Sequence, residues 1–295
     1  MSSVANEVSA IARLFSSSVL KDLARHGESK SVANLLKQTR LPAEVGSDAR
    51  LADVFDAGFS VLKRRKFRHE YIYKAALTQR VLLGTHSLKT ASMMTEFRVG
   101  SCKADVVILN GTSTVYEIKS ERDSLSRLER QVESYLTVFE YVNVIAGENH
   151  IEGVMDTVPE MVGVLKLSDK FQISTVREAK QDLSTLSSSA IFDAINMAEA
   201  KEILKRLSIK IPDVPNAVIY SELAHIFEGL DPIIVHSKMV EVLKRKRGLD
   251  GLSEFVSKLP SSLSSAALSV KLNKQDQLRL SDAMCVPIDQ VMSWA

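Results

Sequence analysis

The stretch 103-KADVVILNGTSTVYEIKS-120 decides how this chain reads. Lys103 to Leu109 and Thr114 to Lys119 are rich in Val, Ile and Tyr, as strands are. Asn110-Gly111 between them is a hairpin signal. Asp105 lies inside the first strand, and Glu117 and Lys119 close the second, two residues apart and so on one side of it. A carboxylate inside a sheet costs several kcal/mol unless it is compensated. Two of them at one sheet edge repel, and a divalent cation is the common remedy. Oxygen-only ligands select Mg²⁺ or Mn²⁺ rather than Zn²⁺. Register supplies a condition. A strict two-residue loop at Asn110-Gly111 pairs Asp105 with Tyr116 and turns Glu117 to the other face. A shared site therefore requires a three-residue loop or a bulge.

Working outward, Ser124 to Phe139 is predicted to be helical, with Leu125, Leu128, Val132, Leu136 and Phe139 as its apolar stripe. Arg127, Gln131 and Tyr135 recur every fourth residue and form a polar stripe beside it. Asp123 or Ser124 can cap this helix. A helix over 67–83 and a strand over 96–99 precede the hairpin. Val142 to Ala146 reads as a buried strand, and Met161 to Leu167 with Phe171 to Val176 as a closing pair. That order gives a mixed α/β sheet. On either side the pattern is helical: single helices over 7–25, 48–63 and 191–207, one over 219–227, and one from Pro232 to Arg247. The expected division is 1–62, an N-terminal helical region; 63–180, the α/β core; and 181–295, a C-terminal helical domain.

These residues resemble the PD-(D/E)xK nuclease superfamily, which has the restriction-endonuclease-like fold. Asp105, Glu117-Ile118-Lys119 and Gln131-x-x-x-Tyr135 carry the resemblance. The run E-I-K-S-x-x-D-x-L-x-R-L-x-x-Q, Glu117 to Gln131, is similar to a branch of uncharacterised bacterial and phage proteins. The likeness spans about Phe67 to Val176, and the Pro-Asp of the superfamily is Ala104-Asp105 here. It implies a Mg²⁺- or Mn²⁺-dependent nuclease acting on DNA rather than RNA, in a setting of phage–host conflict. Catalytic roles would fall to Asp105, Glu117, Lys119 and Gln131. The metal ligands would be Asp105, Glu117, the Ile118 carbonyl and Glu70. Arg127, Tyr135 and the basic run Arg64, Arg65, Lys66 and Arg68 would contact nucleic acid. A partner protein could bind the C-terminal helices and be needed for activity.

A plainer reading stands beside each of these. Asp105 can be an ordinary strand-end carboxylate, and Glu117 with Lys119 an exposed ion pair of little energetic weight. Arg127 and Gln131 can be a solvated helix face. The second basic run, Lys244 to Arg247, fits the C-terminal end of a helix dipole. The alternative function is a nucleic-acid- or protein-binding module on the same fold, without catalysis.

Composition excludes other classes. In 295 residues, 45% hydrophobic and 25% charged, there are 12 Gly and 7 Pro, which rules out a disordered or collagen-like chain. Cys102 and Cys285 are the only cysteines, too few for a disulfide framework or a zinc knuckle. No 20-residue apolar run suggests a membrane span, and the first 20 residues lack the apolar core of a signal peptide. The expectation is a cytoplasmic protein. The net charge of +2 implies that any grip on nucleic acid is local.

Overall fold

The structure, a computed structural model, describes residues 2–295, which form two compact units. The first comprises the chain up to Thr85, Ser168–Ile173 and Asp250–Ala295; the second comprises His86–Leu167 and Ser174–Leu249.

The first unit begins with α1 (Ser2–Leu14), α2 (Ser17–His26), α3 (Lys30–Leu36), α4 (Leu41–Val45) and α5 (Leu51–Leu62). α6 (Glu70–Ala76) follows, running through a π-helical turn (Leu77–Leu82) into the short α7 (Leu83–Thr85). The helix expected over 7–25 is two, because the Ser16 hydroxyl accepts from Val19 N–H and starts a new helix there. Its core is mainly aliphatic and contains an aromatic cluster: Phe15 packs on Phe55, Phe59 and Tyr71, and Phe59 packs edge-on against Phe171.

The second unit is built on a six-stranded sheet in sequence order: β1 (Ser92–Val99), β2 (Cys102–Leu109), β3 (Ser113–Lys119), β4 (Tyr141–Ala146), β5 (Gly163–Leu167) and β6 (Ile173–Arg177). β1, β2 and β3 are an antiparallel meander; β4 and β5 run parallel to β3. Parallel neighbours need crossovers. α8 (Leu128–Leu136) supplies the first and α9 (Ile151–Thr157), which the sequence pattern did not reveal, the second. Four helices follow: α10 (Ser188–Ala194), α11 (Met197–Arg206), α12 (Ile219–Glu228) and α13 (Pro232–Lys246). The helix expected over 191–207 divides because Asn196 caps α11. Leu128 and Val132 of α8 are fully buried with Val107, Val115, Val144 and Val164 of the sheet. Each such side chain contributes about 1.5–3 kcal/mol.

The last helices, α14 (Ser253–Ser257), α15 (Ser264–Ser269), α16 (Lys274–Ala283) and α17 (Ile288–Met292), return to the first unit. Main-chain bonds stitch them there: Leu51 N–H to Val286 (3.0 Å), Ala52 N–H to Met284 (3.1 Å) and Ile288 N–H to Ala49 (2.9 Å). The contacts therefore do not follow the linear division 1–62, 63–180 and 181–295. Among the described residues no helix is long and apolar enough to cross a membrane.

Candidate active site

The β2–β3 loop meets the condition set by the sequence. Leu109 pairs with Ser113, so the loop is Asn110, Gly111 and Thr112, and Gly111 takes φ 114°. Continued past its last pair, Val106–Tyr116, this register sets Asp105 opposite Glu117. The ladder ends there. The Asp105 carboxylate accepts from Ile118 N–H (2.7 Å), the donor that a continued ladder would give to the Ala104 carbonyl. On the other edge of β3 the Lys119 carbonyl accepts from Gly147 N–H. Strand alternation then points the Ile118 carbonyl to the Asp105 side.

Glu117 is 2% exposed and Lys119 4% exposed, so this is a buried ion pair and not a solvated one. Lys119 Nζ donates to Glu117 Oε1 (2.8 Å) and to Gln131 Oε1 (2.8 Å). Gln131 Nε2 donates to Glu117 Oε1 (2.6 Å), and the Tyr135 hydroxyl to Glu117 Oε2 (2.7 Å). A carboxylate has about four acceptor positions. Three are filled here, and the open one is on Oε2. Lys119 likewise keeps one N–H beyond its two bonds. Burial, and then the Glu117 charge, push the Tyr135 phenol well above its ordinary range, so it stays a donor.

The polar stripe of α8 divides. Gln131 and Tyr135 reach Glu117, whereas Arg127 sits at the helix N-terminus and is exposed. The helix starts at Leu128 and not at Ser124, because local turns hold the preceding residues. The Asp123 carboxylate accepts from Ser120 N–H (2.7 Å) and Oγ (2.6 Å), and Ser124 Oγ accepts from Ser126 N–H (3.2 Å). Neither Asp123 nor Ser124 caps α8.

Two residues expected at a nucleic-acid surface are interior. Tyr135 is fully buried against Glu117 and the Lys103 carbonyl, so it positions the carboxylate and cannot touch a polymer. Arg68 is 1% exposed; its guanidinium donates to the carbonyls of Lys63 (2.9 Å) and Ser168 (2.7 Å). Arg64, Arg65 and Lys66 are exposed. Glu70 is the first residue of α6, in the first unit, and its carboxylate is ion-paired with Lys74 one turn on.

The sequence reading missed Glu96. The turn Gly100-Ser101 pairs Val99 with Cys102, and counting back sets Glu96 against Asp105. Their carboxylate oxygens lie within 4.8 Å of each other. Glu96 has φ 58°, and both strands shift phase here: Met94 and Phe97 on β1, Ala104 and Val107 on β2, share one core although they are three residues apart. An expected strand beginning at Glu96 hid this; the strand begins at Ser92. Both are hard oxygen donors of the kind that Mg²⁺ or Mn²⁺ takes, and one small ion held by both would need the two oxygens within about 4.2 Å of each other.

Comparison with known proteins places the chain. The family described as Bacteriophage P4 protein cII matches residues 63–254, more than half of the chain and all of the site just described. The chain is 25% identical to Protein cII of Enterobacteria phage P4 over 193 residues, 63% of this chain and 61% of that protein. The matched region thus spans less than two thirds of that relative's length. No solved structure matches the chain. The chain belongs to the Bacteriophage P4 protein cII family.

Proposed function

We propose that this member of the phage P4 protein cII family is a metal-dependent nuclease with a restriction-endonuclease-like core, hydrolysing phosphodiester bonds in DNA. One observation carries the reading. Lys119, Gln131 and Tyr135 converge on Glu117 at the point where β2 and β3 part around Asp105. A scaffold has no use for five polar groups at a broken ladder. The sheet, an antiparallel meander continued by parallel strands with α8 across it, suits the same fold.

In this reading Asp105, Glu117 through its open Oε2 position, and the Ile118 carbonyl hold the ion, with Glu96 beside Asp105. Glu70 stays a candidate from the resemblance. A bound Mg²⁺ or Mn²⁺ lowers the pKa of a coordinated water and offsets charge on the scissile phosphate. Lys119 directs its remaining N–H to the attacking water or to the phosphoryl oxygen that gains charge. Gln131 fixes the Lys119 ammonium, and Tyr135 fixes the rotamer of Glu117. Water attacks phosphorus, the P–O bond to the leaving nucleotide breaks, and the water proton passes to solvent or to the leaving oxygen. Arg64, Arg65, Lys66 and Arg127, all exposed, are the proposed phosphate contacts. A partner could dock on the C-terminal helices.

The test is cleavage of DNA and RNA substrates with Mg²⁺ or Mn²⁺, using Asp105→Ala and Glu117→Ala as controls. Activity that survives both substitutions refutes the proposal. A second reading, binding without catalysis, is favoured by the three donors already on Glu117. It is adopted if nucleic acid binds, nothing is cut, and Mg²⁺ leaves the melting temperature unchanged.

A further inference from the structure

The β1–β2 hairpin projects an unusual arrangement of charge. Phe97, Val99 and Cys102 are buried, so Arg98 and Lys103, which alternate with them, share the opposite face; Glu96 joins them through its ion pair with Lys103, and Asp105 through a carboxylate oxygen within 4.8 Å of that of Glu96. Glu96, Arg98 and Lys103 are exposed, and Asp105 is half-buried. Arg98 and Lys103 are direct cross-strand partners. Like charges directly opposite destabilise a hairpin. Lys103 is relieved by Glu96, 3.2 Å away, but Arg98 has no ion-pair or hydrogen-bond partner among the described residues. Such a pair calls for an anion. Lys103 is two residues from Asp105, about 7 Å along the strand.

We infer that Arg98 and Lys103 bind the DNA phosphate next to the one held at Asp105, and that a divalent cation on Glu96 and Asp105 switches this face on. Two acidic and two basic side chains cancel when no cation is bound. A divalent ion leaves the face with an excess of two positive charges. It also competes with Lys103 for Glu96 and frees the ammonium for phosphate. The inference rests on the nuclease reading for the cation and the choice of polymer, and it adds where the polymer lies and what controls its binding.

The experiment is fluorescence anisotropy of a labelled DNA duplex with the full chain, in Ca²⁺ and in EDTA, over a range of salt. A single-stranded DNA and an RNA duplex are further arms. Wild type should bind several-fold more tightly in Ca²⁺ than in EDTA. Arg98→Gln and Lys103→Gln should each weaken binding in Ca²⁺ by about 3–10-fold and lower the salt slope by about one, with little effect in EDTA. Both side chains are exposed, so melting temperatures should hold. If Arg98→Gln melts early, Arg98→Lys restores the charge and should restore binding. Wild-type affinity and salt slope in both Gln variants overturn the inference, as does a wild type that binds none of the probes. Equal binding in Ca²⁺ and EDTA overturns the cation control. Parallel cleavage in Mg²⁺ separates the two claims. Binding that depends on Arg98, with no cleavage and no effect of Mg²⁺ on the melting temperature, leaves the surface standing and replaces the nuclease reading with the binding one; cleavage unaffected by the hairpin variants does the reverse.

Discussion

Of the buried glutamates of the second unit, the two most deeply sealed, Glu117 and Glu199, are satisfied in opposite ways. Glu199, 2% exposed, receives both arms of Arg247 (2.7 Å each) and the Asn196 main-chain N–H (3.0 Å) in a capping box. Burial pushes its carboxyl up, but the guanidinium and the Asn196 N–H outweigh that and hold it below the ordinary range. The result ties the start of α11 to the end of α13, and Arg247 also lies over the Phe97 ring. Glu117 is as deeply buried, yet its donors are side chains from its own strand and from α8, and an acceptor position is left over. Matched bidentate geometry on a helix cap is architecture. On the proposed reading, a network with a further acceptor on Glu117 and a further donor on Lys119, beside a parted strand pair, is where metal and substrate would bind.

That contrast can be broken by substitution. The largest effect is expected on chemistry. Asp105→Asn or Glu117→Gln should lower Mg²⁺-dependent cleavage about 10³-fold, roughly 4 kcal/mol of lost stabilisation. Arg247→Met should leave the rate per folded molecule unchanged; plasmid nicking reads both. Stability comes next. Arg247→Met strands a buried carboxylate and should cost about 3–5 kcal/mol in urea unfolding. Lys119→Met should cost less, because Gln131 and Tyr135 still donate to Glu117, yet it should also abolish cleavage. Asn196→Ala removes only the cap on the Glu199 side, about 1 kcal/mol, with activity intact.

The smallest effect is in pH dependence. His236 is 5% exposed, bonded to Ser113 Oγ (2.8 Å). Its pKa is lowered from 6.5 by burial, against a smaller upward pull from Glu140. The unfolded chain therefore takes up the proton first. Stability is full above about pH 6.5 and declines as pH falls below it, towards the depressed folded value. His236→Gln should flatten that slope in melts taken between pH 7 and pH 5. An unchanged slope would assign the acid sensitivity elsewhere.

Much of the site was legible because its signals are local. Period-two apolar runs around Asn110-Gly111 mark a hairpin, and carboxylates inside such runs stand out for the desolvation they incur. The fourfold spacing of Gln131 and Tyr135 places both on one helical face. Arg68 and Tyr135 were misassigned because a basic or phenolic side chain looks the same in sequence whether it faces water or main-chain carbonyls. Glu96 escaped notice because its importance depends on pairing across a separate turn, at Gly100-Ser101. Helix starts shifted where Ser16, Ser124 and Asn196 bonded local main chain, a competition decided by geometry at each site.

The amino-acid sequence by itself determined the strands, the crossover helix α8 and the candidates Asp105, Glu117, Lys119 and Gln131, since periodicity and residue type act within a few residues. Tertiary structure alone decided the convergence of Gln131 and Tyr135 on Glu117, the burial of Arg68 against the Ser168 carbonyl, and the return of α14–α17 to the first unit. Each of those depends on which distant groups come to share hydrogen bonds once water is excluded, and no local window contains both partners.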